Sequence, residues 1–143
     1  MMNIGEKPIL STHGVVTSLA WKIGGHVNYV LEGNLNYTGA VITWLKDDLE
    51  LISSAAETEA LANKAVKEDG LYLVPAFSGL GAPYWDSDAR ATIVGMSRTT
   101  RKAELVRAAL ECIAYQITDV VKAMSEDSKI CIGQLCVDGG PTR

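Results

Sequence analysis

The residues best suited to chemistry in this chain lie in two glycine-bearing loops. Gly79-Leu80-Gly81-Ala82-Pro83-Tyr84-Trp85-Asp86 packs two glycines, a proline and two large aromatics into one short stretch after the strand-like run Leu71 to Phe77. Asp138-Gly139-Gly140 follows a second strand-like run, Leu135-Cys136-Val137. Glycine admits positive φ and lets backbone amides come close to an anion where a Cβ would block it, so a strand that runs into Asp-Gly-Gly can present its amides to a phosphate. The same residues also serve as plain turn punctuation, and both readings stand at this level. The first loop reads as ordered: Pro83 fixes its own φ and pushes Ala82 towards extended geometry, while Tyr84 and Trp85 bring apolar area and an OH and an NH that need partners. Ordered long loops are disproportionately functional, so a binding role and a structural role are both open.

The remaining chemistry-bearing side chains are sparse. Cys112, Cys131 and Cys136 are too few and too irregularly spaced for a disulfide framework or a CxxC zinc site and are expected to be buried free thiols. His13 and His26 stand apart from each other and from the cysteines, with no metal-ligand spacing. With 143 residues, 48% of them hydrophobic and 21% charged, the chain fits one ordinary globular domain. The net charge of −4 and the lack of any Lys/Arg cluster argue against a nucleic acid or an anionic membrane as partner. No apolar run reaches membrane-helix length, and the Met1-Met2-Asn3-Ile4-Gly5-Glu6 start has no signal-peptide pattern, so a cytoplasmic protein is expected.

The elements that must position these loops follow from hydrophobic period. Ile9 to Thr12, Val15 to Ile23 and Val27 to Leu31 read as strands of an antiparallel meander, and Gly24-Gly25 sits where a tight hairpin demands positive φ. From Gly39 the period changes: Ala40, Ile42, Leu45, Leu49 and Ile52 suggest an amphipathic helix. A shorter helix is expected from Glu57 to about Lys67, stopping at Asp69-Gly70. Leu71 to Val74 and Ala91 to Met96 should form a strand pair around the aromatic loop. The longest helix is expected from about Lys102 to Met124, with Val106, Ala109, Leu110, Ile113, Ile117, Val120, Val121 and Met124 on one face and Glu104 among the charges elsewhere. Thr99 or Thr100 would cap it, and Leu135 to Val137 would be a last strand. In α/β sheets ligands gather at the carboxyl ends of strands, and a domain is not expected to stop at such an end. The sequence is therefore expected to be a fragment cut at both ends, whose exposed sheet edges favour a homo-oligomer.

Ser78-Gly79-Leu80-Gly81-Ala82-Pro83-Tyr84-Trp85-Asp86, with Ala89-Arg90 and Gly95-Met96-Ser97-Arg98, closely resembles the second signature of the FGGY carbohydrate kinases, in the version carried by their glycerol-phosphorylating branch. Val27 to Gly33, Ala108 to Gln116 and Val137 to Gly140 resemble segments of the same branch in the same order, and Met2 to Glu6 resembles the stretch just after that family's Gly-Thr-Gly phosphate loop. The resemblance covers essentially the whole chain. It implies an α/β fold of the ribonuclease-H-like, actin-like ATPase type, here a partial domain with a mixed sheet and flanking helices, residues 1–143 being part of the second, ATP-binding domain. The whole protein would transfer the ATP γ-phosphoryl group, with Mg²⁺, to glycerol. Its general base would lie outside this chain, which alone is expected to be inactive.

Carried over residue by residue, the resemblance gives Gly39 as a helix-initial glycine against the nucleotide and Gly139 and Gly140 as the adenosine-side Asp-Gly-Gly loop. Thr43 stands where the family's best-known members carry glutamine. Asp86 and Arg90 are expected to lock the aromatic loop, and no catalytic or metal-binding residue is expected. Two alternatives accompany this reading: an FGGY kinase for another acceptor, such as a pentulose, and a non-catalytic actin-like module that binds nucleotide or partners.

Overall fold

The computed structural model describes residues 1–66 and 70–139, and the chain divides into two compact units. The first comprises residues 1–34, 81–85 and 118–143, and the second residues 35–80 and 86–117.

The first unit is built on an antiparallel sheet in the order β1-β3-β2, with β1 at Met2–Gly5, β2 at Val16–Ile23 and β3 at His26–Glu32. Ile23 pairs with His26, so Gly24 and Gly25 form a two-residue hairpin, and both have positive φ (58° and 86°) as a turn matched to strand twist requires. The register shifts between Leu19 and Trp21, where Ala20 is the extra residue of a bulge. On central β3 the neighbours Val30 and Leu31 are both buried. Successive strand residues point to opposite faces, so the sheet is covered on both sides at that point. The Ile9 to Thr12 run is a loop rather than a strand. Its polar groups turn to other partners: Thr17 Oγ1 donates to the Ile9 carbonyl, and Ser11 and Thr12 bond a carboxylate described below.

The second unit carries α1 (Gly39–Thr43), a π-helical turn (Trp44–Asp48), α2 (Glu57–Ala62) and the antiparallel pair of β4 (Tyr72–Val74) and β5 (Thr92–Val94). Its core joins Val41, Leu45, Ile52, Leu71, Leu73, Val106, Ala108, Ala109 and Cys112. The expected amphipathic helix over residues 40–52 is thus shorter. It buries Val41 and Leu45, while Ala40 and Leu49 are exposed. The reason is the widened turn at residues 44–48, where Leu49 N bonds the Trp44 carbonyl, after which Glu50 takes φ 51° and the chain leaves the helix. α2 stops at Ala62, and the expected extension to Lys67 runs into residues 67–69, outside the described ones.

The long helix α3 spans Lys102–Ser128. Its expected face is confirmed at Val106, Ala109, Val120 and Met124, all buried, and Cys112 joins them. Neither threonine caps it: Thr100 Oγ1 accepts from Ser97 N, and the helix start is held instead by Glu104, whose Oε2 accepts from Arg101 N at 2.9 Å and whose Oε1 accepts from Val66 N at 3.1 Å. This is the return half of a capping box. Glu104 therefore belongs to the interior, at 6% exposure, and not to the polar face. The bond from Val66 N, foremost, holds its carboxyl below the usual carboxylate range. A lowered folded-state pKa stabilises the fold above the unfolded carboxyl's pKa, a contribution lost as pH falls through the folded value. Glu104→Ala should lower the thermal midpoint at pH 7 by about 5 °C and flatten the acid side of the stability profile, both read by circular dichroism melts from pH 7 down to pH 3.

Beyond α3, residues 130–138 form no strand. A strand needs a ladder partner for its amides and carbonyls, and none is present among the described residues. This overturns the expected strand at Leu135 to Val137, and with it the burial of Cys131 and Cys136, which are exposed; only Cys112 is buried. All three thiols are free. Burial alone pushes the Cys112 thiol up to about 12, which makes it an inert packing group.

Candidate functional site

The aromatic loop is tied at both its tip and its flanks. Its tip, residues 81–85, belongs to the first unit. The Ala82–Pro83 peptide is cis, Ala82 N donates to the Asn34 carbonyl at 3.0 Å, Tyr84 Oη donates to Asp119 Oδ2 at 2.8 Å, and Trp85 Nε1 donates to the Gly14 carbonyl at 2.6 Å. The bond to Asp119, with some burial, raises the Tyr84 hydroxyl above its ordinary pKa. Both aromatic side chains are exposed, yet their polar tips find protein partners. The flanks belong to the second unit, where Leu80 N bonds the Asp86 carbonyl at 2.7 Å and Gly79 takes φ 81°. A Cβ on Gly79 would stand 2.7 Å from that same carbonyl oxygen, so glycine is required there.

Asp86 and Arg90 lock the loop's descending arm. Asp86 Oδ1 accepts from Asp88 N at 2.9 Å and Ala89 N at 3.0 Å, a local Asx turn, while Arg90 Nη1 donates to the carbonyls of Ser87, Asp88 and Ala89. Asp86 Oδ1 and Arg90 Nη1 thus bond the backbone of their own loop.

Of the residues singled out for nucleotide contact, Gly39 and Thr43 open and close α1 in the second unit. Four residues apart, they share one helix face. Thr43 is exposed and Gly39 half-buried, while Val41 and Leu45 turn the opposite way into the core. Thr38 supplies no side-chain cap, and Val41 N bonds its carbonyl at 3.0 Å. On either side of α1, the rings of Tyr37 and Trp44 each meet that of Phe77, with centroids 5.0 and 4.9 Å apart at tilts of 54° and 56°. Gln116 Nε2, from α3, donates to the Tyr37 carbonyl at 3.0 Å and to the Cys112 carbonyl at 3.2 Å. Periodicity does not reveal the Phe77 stack, because its three members are separated by up to half the unit in sequence; only the aromatic character of Tyr37, Trp44 and Phe77 hints at it.

Gly139 belongs to the first unit, is exposed, and takes φ 118° with its N–H bonded to Asp138 Oδ1 at 2.7 Å. That backbone angle is open to glycine and strained for other residues. Gly140 lies outside the described residues. No group of three or more His, Cys, Asp and Glu side chains that could hold a metal ion occurs among the described residues. Nor is any described helix long and apolar enough to cross a membrane.

Known proteins resemble this chain along its whole length. The model of the FGGY family of carbohydrate kinases, C-terminal domain, matches residues 1–143. Glycerol kinase of Paraburkholderia phytofirmans is 54% identical over 140 residues, and that of Petrotoga mobilis 55% identical over 140 residues; each match covers 98% of this chain. The chain spans 28% of the length of these relatives. Among solved structures, glycerol kinase of Plasmodium falciparum with ADP superposes with a TM-score of 0.82 at 39% identity, over 91% of this chain and 26% of that one. The α/β, actin-like ATPase fold class implied by the resemblance is thereby supported, its sheet represented among the described residues by two small antiparallel pieces. By its whole-length family match and the shared fold, this chain belongs to the FGGY family of carbohydrate kinases and corresponds to that family's C-terminal domain.

Proposed function

We propose that this chain is the nucleotide-binding part of an ATP-dependent glycerol kinase, which transfers the γ-phosphoryl group of ATP to a terminal hydroxyl of glycerol to give glycerol 3-phosphate. The observation that carries the reading is the 54–55% identity to glycerol kinases over 98% of the chain. Phosphoryl transfer of this kind depends on positioning and charge stabilisation far more than on covalent help from the protein. The part assigned to this chain is positional. The open face of α1 that carries Gly39 and Thr43 receives the nucleotide, the missing Cβ of Gly39 allowing backbone approach, and Gly139 and Gly140 are assigned to nucleotide binding by the resemblance alone. Mg²⁺ enters with the nucleotide phosphates. The general base and the acceptor site belong to the remainder of the protein, which acts in the cytoplasm as a homo-oligomer without nucleic-acid or membrane partners.

Calorimetric titration of the chain with ADP tests this reading. Saturable binding with a Kd in the millimolar range or below is expected, and Gly39→Val should abolish it by placing a branched side chain on the face the nucleotide approaches. A wild-type chain with no heat of ADP binding, or a Gly39→Val chain that binds as tightly as wild type, would refute the assignment.

A further inference from the structure

We propose that Phe77 is a positioning residue for the nucleotide, its ring fixing the orientation of the α1 face that carries Gly39 and Thr43; this rests on the nucleotide reading above. The argument starts from what α1 lacks. A helix of five residues cannot hold itself together in water, and its N-terminal flank, Thr38, provides no side-chain cap. On its C-terminal side the chain widens into the π-turn at Trp44–Asp48, so the ordinary hydrogen-bond ladder does not carry the orientation of α1 into a longer, stiffer helix. Tertiary contacts must therefore set the rotation of α1 about its own axis.

Two kinds of contact are present. Val41 and Leu45 anchor the inner face in the core, which fixes depth. Phe77 meets an aromatic partner on both flanks of α1, Tyr37 before it and Trp44 directly after it, in tilted ring contacts. The stack is itself held. Asn36 Nδ2 reaches the Gly79 carbonyl at 3.5 Å, two residues beyond Phe77, and Gln116 Nε2 fixes the Tyr37 carbonyl to α3. Phe77 is only half-buried and stands outside the cluster of fully buried residues, so its place is at the flank of α1 rather than in the centre of the core. Rotating α1 by even part of a turn would swing Gly39 and Thr43 together away from a ligand that both must meet, and small misplacements of ligand-contacting groups have large effects on binding.

The test is ADP titration of the full chain at a temperature where melting curves show every variant folded. Phe77→Leu, which removes the ring but keeps an apolar side chain, is expected to raise the Kd for ADP about tenfold, since small misplacements of ligand-contacting groups have large effects. Phe77→Tyr, which keeps the ring, should restore near-wild-type affinity. Ile52→Val, a change inside the same unit's core, should lower the melting midpoint and leave the Kd unchanged. If Phe77→Leu melts lower yet binds ADP like wild type, Phe77 is only a packing residue and the inference is overturned. Should Phe77→Leu not fold, Tyr37→Leu breaks the same stack from the other side and carries the same two outcomes. A wild-type chain that does not bind ADP, or a Gly39→Val chain that still does, defeats the underlying site assignment instead and takes this inference with it.

Discussion

Gly14→Ala is expected to destabilise the first unit by about 3 kcal/mol and to free the tip of the aromatic loop. Two effects add. Gly14 takes φ 79°, where a side chain costs roughly 1–2 kcal/mol. A Cβ built there would lie 2.1 Å from the Pro83 carbonyl oxygen, a backbone atom that cannot rotate out of the way, and forced overpacking of that kind costs roughly 1–3 kcal/mol. The carbonyl of Gly14 is also the acceptor for Trp85 Nε1, so displacing either backbone segment strains that bond as well. Trp85 itself holds φ 51° while 53% exposed, a conformation that persists only where surrounding contacts enforce it. Gly24→Ala provides the comparison, since Gly24 also has positive φ (58°) but open space where its Cβ would go. Urea unfolding should show Gly14→Ala losing at least about 1 kcal/mol more than Gly24→Ala, and hydrogen exchange at Tyr84 and Trp85 should quicken only in the former. Equal losses in the two variants would show that the close approach to Pro83 carries no energy.

What could be read from the residues divides along a physical line. Features set by local chemistry were legible: the Gly24-Gly25 hairpin, the pairing of the strands on either side of the aromatic loop, the course of α3 through 102–124, and the locking role of Asp86 and Arg90, whose bonds go to their own loop. Features set by partners distant in sequence were not. Leu135 to Val137 has strand composition but no described ladder partner, so composition alone misplaced it together with Cys131 and Cys136. Glu104 has the character of a surface residue and is drawn inside by the Val66 amide, which no periodicity reveals. The helix after Gly39 has a convincing apolar period, yet widens at Trp44, because burying Leu45 and Ile52, with half-buried Leu51 packed against them, outweighs continuation of the helix. The assignment of Gly39, Thr43, Gly139 and Gly140 to nucleotide binding rests on resemblance, not physics: a glycine at a helix start and a glycine pair after a polar residue have many other uses.

Asp127 shows the same limit most sharply, and its removal is the other large effect expected. It lies in the last turn of α3, where the helix's own partial negative charge disfavours a carboxylate. Its side chain is nonetheless only 3% exposed and gathers the loop after Leu10: Ser11 Oγ donates to Oδ2, while Thr12 N at 3.0 Å, Thr12 Oγ1 at 3.2 Å and His13 Nδ1 at 2.7 Å all meet Oδ1. Burial alone would push the carboxyl up, but these bonds outweigh it and hold the group far below the usual carboxylate range. Asp127→Ala should cost about 3 kcal/mol, since several charge-assisted bonds vanish and the freed donors of the Ser11–His13 loop must find water. Asp127→Asn, which keeps one accepting oxygen, should cost about half as much. The sign of the pH effect follows from the depressed folded-state pKa. The contribution is complete at neutral pH, where the unfolded carboxyl is also ionised, and it falls away below about pH 4 as protons bind the unfolded chain preferentially. Urea midpoints for wild type should therefore drop more steeply between pH 4 and pH 2 than those of Asp127→Asn, whose amide does not titrate. Parallel acid limbs in the two proteins would mean that the carboxylate is not held by the Ser11–His13 loop in solution.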